Sequence, residues 1–110
     1  MHPHNNRLLD ALNHCIAACE HCATACLSEQ DAKMMAGCIR LDRDCADICA
    51  LTARLVARGS AYAAALLKEC AEICNACAAE CGKHAYMAHC KECAAACLRC
   101  EQACRVGLTA

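Results

Sequence analysis

Sixteen of the 110 residues are cysteine, and their spacing decides what chemistry they can do together. Cys15, Cys19, Cys22 and Cys26 follow one another at intervals of 4, 3 and 4 residues, and Cys70, Cys74, Cys77 and Cys81 repeat those intervals. Cys90, Cys93, Cys97, Cys100 and Cys104 run 3, 4, 3, 4, with Cys38, Cys45 and Cys49 as a sparser set between them. At about 3.6 residues per turn, each set falls on a single helical stripe. An ordinary bundle fills that stripe with leucine. A column of thiols in its place can pack, form disulfides, carry redox equivalents or bind metal.

Composition and charge narrow the setting. The N-terminal MHPHNNRLLDALNH has neither the apolar run nor the small-residue cleavage site of a secretory leader, which points to the cytoplasm, where thiols stay reduced. No stretch approaches the roughly 18–20 apolar residues of a membrane span. A net charge of −1, with 11 basic and 12 acidic residues interspersed, offers no electrostatic footprint for nucleic acid or lipid. Tyr62 and Tyr86 are the whole aromatic complement, so stacking platforms for single strands are missing as well.

Within that setting the four uses of thiols separate. Cysteine as a small hydrophobe would leave a sixteen-residue stripe poorly filled. Residues at i,i+3 or i,i+4 on a helix hold their Cβ atoms about 5–6 Å apart, too far for an unstrained disulfide. The CxxC pairs (Cys19/Cys22, Cys74/Cys77, Cys90/Cys93, Cys97/Cys100) are forced by the helical step and lack the βαβ context of a thioredoxin. Metal binding remains, and charge selects the metal. Four Zn²⁺ in Cys₄ sites would leave a charge of about −8 inside the bundle, whereas about sixteen Cu⁺ would neutralise sixteen thiolates. Soft sulfur ligands favour Cu(I), which accepts two or three of them. Zinc or mixed-metal thiolate buffering, and thiol redox regulation, stand as the alternatives.

The elements that must position these residues follow from an internal repeat. Cys15, Cys19, Cys22 and Cys26 match Cys70, Cys74, Cys77 and Cys81 at an offset of 55 residues, and Cys38, Cys45 and Cys49 match Cys93, Cys100 and Cys104. In the same register Met35 stands opposite Cys90 and Asp42 opposite Cys97. The chain is expected to be one all-α domain, residues 1–110, built from two helical hairpins. Helices are expected over about 6–27, 31–58, 61–81 and 84–106, with Asp31 and Ser60 as N-caps, Gly59 at a C′ position and Gly82 ending the third. Short turns make these an antiparallel up-down-up-down four-helix bundle with a cysteine-lined lumen.

Its two ends differ. The end at turns 28–31 and 82–84 collects Met34, Met35, Met87, His84 and His89 beside Cys26, Cys38, Cys81 and Cys90. Met35, His84, His89 and Asp42 join the sixteen cysteines as candidate ligands. The methionines can equally serve as gap-fillers, the histidines as solvated surface, and Leu41 competes with Asp42 for the lumen position. His14 and His21 are expected to face outward, and His2 and His4 to lie in a frayed start. The opposite end carries an apolar plug of Leu8, Leu12, Val56, Leu108 and either Leu66 or Leu67. A second stripe on helix two (Leu41, Ile48, Leu51, Leu55) hints at subunit packing.

The segments CIAACEHCATAC (15–26), CAEICNACAAEC (70–81) and CAAACLRCEQAC (93–104) resemble the bacterial copper storage proteins. The resemblance spans about residues 8–106. It implies a four-helix bundle that stores many Cu(I) ions per chain without a catalytic step. It further implies a cytosolic protein, a homotetramer of bundles, and ions admitted at one end of the lumen. Met35 and Asp42 depart from the thiol ladder, so copper is expected to be less dense along helix two.

Overall fold

The computed structural model describes residues 3–109, with side chains from residue 5. His2 and the His4 side chain lie outside the described residues. Four α-helices follow in chain order: α1 (Pro3–Leu27), α2 (Ala36–Ala57), α3 (Ala63–Gly82) and α4 (Ala88–Thr109). α1 packs on α2 and α4, and α3 packs on the same two, so sequence neighbours are spatial neighbours around a square. The result is the antiparallel up-down-up-down bundle, 44 × 18 × 18 Å. Those dimensions correspond to one helix length by two helix widths.

Each helix turns its cysteine stripe inward. All sixteen thiols are buried and unbridged. Alanines at the same depth, among them Ala11, Ala23, Ala71 and Ala96, present little bulk between neighbouring helices. Buried leucine is confined to one end, where Leu8, Leu12, Val56 and Leu67 close the lumen. Leu67 fills the place left open between it and Leu66. Leu108 is 40% exposed and does not join the plug. The residue beside it explains why. α4 passes the leucines at Gly107, where a Cβ would stand 3.2 Å from Leu8 Cδ2 and 3.5 Å from Leu67 Cδ1. The helix meets the plug with its glycine and turns Leu108 away.

The turns depart from expectation in instructive ways. α1 begins at Pro3 rather than near Asn6, since proline suits a first helical turn. Before α2 stands a 3₁₀ turn, Ala32–Met35, and Asp31 supplies no side-chain cap. Instead its carbonyl accepts the Met34 N–H at 3.1 Å, closing the tighter i→i+3 turn common at helix starts. Gly59 does take the left-handed conformation, at φ 65°. Ser60 N–H reaches the Leu55 carbonyl at 2.9 Å and Gly59 N–H the Val56 carbonyl at 3.1 Å, which is a Schellman cap. The Ser60 hydroxyl then accepts the Tyr62 N–H at 3.1 Å, and α3 starts at Ala63. Gly82 is the last residue of α3 without a positive φ. Residues 83–87 are spent on turns, including His84 N–H to the Cys81 carbonyl at 3.0 Å, so α4 begins at Ala88 rather than near His84.

Candidate metal centre

The inward sulfurs form layers. Nearest the plug, Cys49 lies 3.7 Å from Cys70 and 3.8 Å from Cys100. The next layer joins Cys15 to Cys45 and Cys97, each at 3.8 Å, and Cys45 to Cys74 at 3.6 Å. Cys19 continues the path, 3.7 Å from both Cys97 and Cys93. Along each helix, i,i+4 pairs such as Cys70–Cys74 and Cys77–Cys81 stand 4.0 Å apart and link one layer to the next. The lumen is therefore a continuous sulfur column. Adjacent sulfurs are close enough to share one ion and too far apart to be bonded.

Asp42 takes one ladder position on α2, as the 55-residue register predicts, and the sulfurs continue past it through Cys77, Cys81 and Cys38. Asp42 is fully buried. Its Oδ1 accepts S–H donation from Cys77 at 3.2 Å, Cys81 at 3.3 Å and Cys93 at 3.2 Å, and Cys38 lies 3.7 Å from Oδ2. Burial, with the neighbouring Cys93 and Cys77 sulfurs, pushes its carboxyl up to about 10. At neutral pH it is a neutral acid inside a ring of thiols. Leu41, the competing candidate, is only partly buried at the core's edge.

The far end gathers some of the expected donors and releases others. His89, in the first turn of α4, aims Nδ1 at Cys22 (3.6 Å), Cys26 (3.8 Å) and Cys90 (3.5 Å). Its Nε2 faces Glu29 Oε1 at 3.0 Å. Met35 is buried in the core, Met87 packs on its edge, and Met34 is 62% exposed. His84 turns away from the sulfurs, with Nε2 3.7 Å from Glu80 Oε2 and its ring against Tyr86. His14 and His21 face outward. Glu29 had no place among the sequence candidates, because it sits in a turn where periodicity says nothing. The asymmetry of the repeat was the available sign: His89 stands where the first hairpin has Met34.

Electrostatics grade the thiols along the column. Burial, followed by the charges of Cys38 and Cys90, pushes Cys26 up, and burial likewise raises Cys90 to about 11. Cys38 goes the other way, to about 3, through hydrogen bonding with Cys22 and Cys81; the Cys81 sulfur is only 3.1 Å away. At the plug end, hydrogen bonding with Cys100 and Cys70, then burial, raises Cys104. Cys38, at the histidine end, is thereby poised as thiolate, while Cys26, Cys90 and Cys104 must surrender a proton to a metal.

A four-helix bundle holding a closed column of free thiols, capped by an imidazole at one end and by leucine at the other, defines a soft-metal-binding bundle. The copper storage protein family model matches residues 1–109, and the chain belongs to that family. A cytosolic copper storage protein from Streptomyces lividans, in a form with five coppers, is 43% identical. Their superposition gives a TM-score of 0.93 and covers 97% of this chain and 93% of that one. The Cu(I)-bound copper storage protein BsCsp3 is 44% identical, with a TM-score of 0.89 over 94% of this chain and 96% of the other. The cysteine-rich protein YhjQ of Bacillus subtilis (strain 168) is 44% identical over 105 residues, 96% of each chain.

Proposed function

We propose that this protein stores and sequesters many Cu(I) ions per chain in the cytosol, with the sixteen cysteines as ligands and no catalytic step. The continuous sulfur column carries the reading. Bridged layers at 3.6–4.0 Å suit two- and three-coordinate Cu(I), each thiolate serving more than one ion. Monovalent ions also cancel the charge of the thiolates one for one, which divalent ions in Cys₄ sites do not. Membership of the copper storage family and the copper-loaded relatives support the same cargo. No described helix is long and apolar enough to cross a membrane.

Met35 and His89 stand at the end opposite the leucine plug, where a neutral soft donor and an imidazole can pass ions inward to Cys38. Asp42 breaks the ladder as a hydrogen-bonding acid, and copper is expected to be sparser around it. His84, held by Glu80, has a weaker claim as a ligand. The partly covered stripe of α2, with Leu51 42% exposed, supports packing of bundles into a homotetramer. Sedimentation equilibrium should then return about four times the 11.7 kDa chain mass; a monomeric mass would end that assignment.

Because most thiols are neutral before loading, copper must displace protons. Loading should release about one proton per Cu(I), fewer for the first ion at Cys38, and affinity should weaken as pH falls. A pH-stat titration under anaerobic conditions reads this directly. Uptake of copper without proton release would argue that ions sit on groups other than these thiols.

A further inference from the structure

The end opposite the leucine plug contains a second kind of metal site. Cys22, Cys26, Cys90 and His89 Nδ1 form a nearly regular tetrahedron. Its sulfur–sulfur edges are 3.9, 3.8 and 3.9 Å, and its nitrogen–sulfur edges 3.6, 3.8 and 3.5 Å. Zn²⁺ at its usual distances, about 2.3 Å to sulfur and about 2.0–2.1 Å to nitrogen, calls for edges of about 3.8 and 3.6 Å. A three-coordinate ion held by the three sulfurs would lie in their plane and leave the imidazole unused. The nitrogen instead stands almost equidistant from all three sulfurs, at the fourth apex.

Three further features belong to such a site. Glu29 accepts the Nε2–H of His89 at 3.0 Å, which fixes the tautomer that leaves the Nδ1 lone pair facing the sulfurs. His89 and Cys90 lie in the first turn of α4, where the helix dipole favours thiolate. The His89 side chain keeps 14% of its surface exposed, which puts the site at the boundary between the buried sulfurs and solvent. Charge also distinguishes it from the sulfur layers below. Three thiolates and a neutral imidazole leave Zn²⁺ with a net charge of about −1, against −2 for a Cys₄ site.

We propose that Cys22, Cys26, Cys90 and His89 form a Cys₃His site for one Zn²⁺ at the end of the lumen opposite the leucines, with Glu29 as its positioning residue. Binding displaces the remaining thiol protons, up to three per ion, and leaves the oxidation state of every sulfur unchanged. The site shares three cysteines with the copper column but does not rest on copper storage. A zinc ion there would close the lumen of copper-free protein until Cu(I) displaces it.

The test is X-ray absorption on the reduced full-length chain carrying half an equivalent of Zn²⁺. Three sulfurs and one imidazole nitrogen are expected in the first shell. Four sulfurs would overturn the proposal, as would failure of the protein to retain zinc through a desalting column. Competition titrations of Glu29→Ala should show zinc affinity reduced about 10–100-fold, with Glu29→Gln partly restoring it. Unchanged affinity in Glu29→Ala would remove the positioning role. Cu(I) capacity measured on the same samples keeps the two readings separate, because a missing zinc site leaves that capacity intact.

Discussion

Saturating the reduced protein with Cu(I) is expected to raise its unfolding temperature by several tens of degrees. The metal-free bundle has a core unusually poor in hydrophobic volume: its leucines and Val56 cluster at one end, and sulfur fills the rest. It should fold and be strongly helical without metal, but with modest stability. Each ion bound to the folded chain alone, at a thousandfold excess over its dissociation constant, adds about 4.1 kcal/mol. For domains of about 60–100 residues each kcal/mol moves the midpoint by about 4–8 °C. The column also ties all four helices together, as when Cys15 on α1 meets Cys45 on α2 and Cys97 on α4. Scanning calorimetry of metal-free and loaded samples makes the comparison. Coincident transitions would mean that copper sits outside the lumen.

The second large effect belongs to Asp42. Its carboxyl, raised to about 10, keeps a proton in the folded state that it loses in the unfolded chain above its ordinary value near 4. Its contribution to stability is complete below pH 4 and fades as pH climbs toward 10. Between pH 5 and pH 8 the loss is on the order of a few kcal/mol. Cys38, lowered to about 3, acts with the opposite sign over the same range. The difference between variant and wild type therefore reads Asp42 together with the thiols it touches, and the wild-type slope alone does not. Metal-free Asp42→Asn, neutral at every pH, should be more stable than wild type at pH 8 by several kcal/mol, with the gap closing toward pH 4. Parallel urea denaturation curves across that range would show it. A constant gap would mean that Asp42 is ionised in the fold.

Much of this structure was legible in the cysteine spacing, because one periodicity specifies both the helix and its inward face. The 55-residue register went further and placed Asp42 in the lumen, where composition alone would put an aspartate on the surface. What stayed hidden lies in the turns. The stretch from Lys83 to Met87 has no periodicity to show that it is spent on i→i−3 turns, so α4 was expected four residues early. The partners of the two histidines were equally hidden. His84 chooses Glu80 one turn back, whereas His89 reaches across to Glu29 in the other hairpin. Leu67 rather than Leu66 entered the plug because the phase of α3 is set by its cysteines, which place Leu67 one i,i+3 step before Cys70.

The most direct measurement is an anaerobic Cu(I) titration of fully reduced protein against a chromophoric chelator. Storage in the sulfur column requires ten or more Cu(I) per chain to be withdrawn before the chelator colours. Saturation at one or two ions would contradict storage and leave the thiols to zinc or redox chemistry.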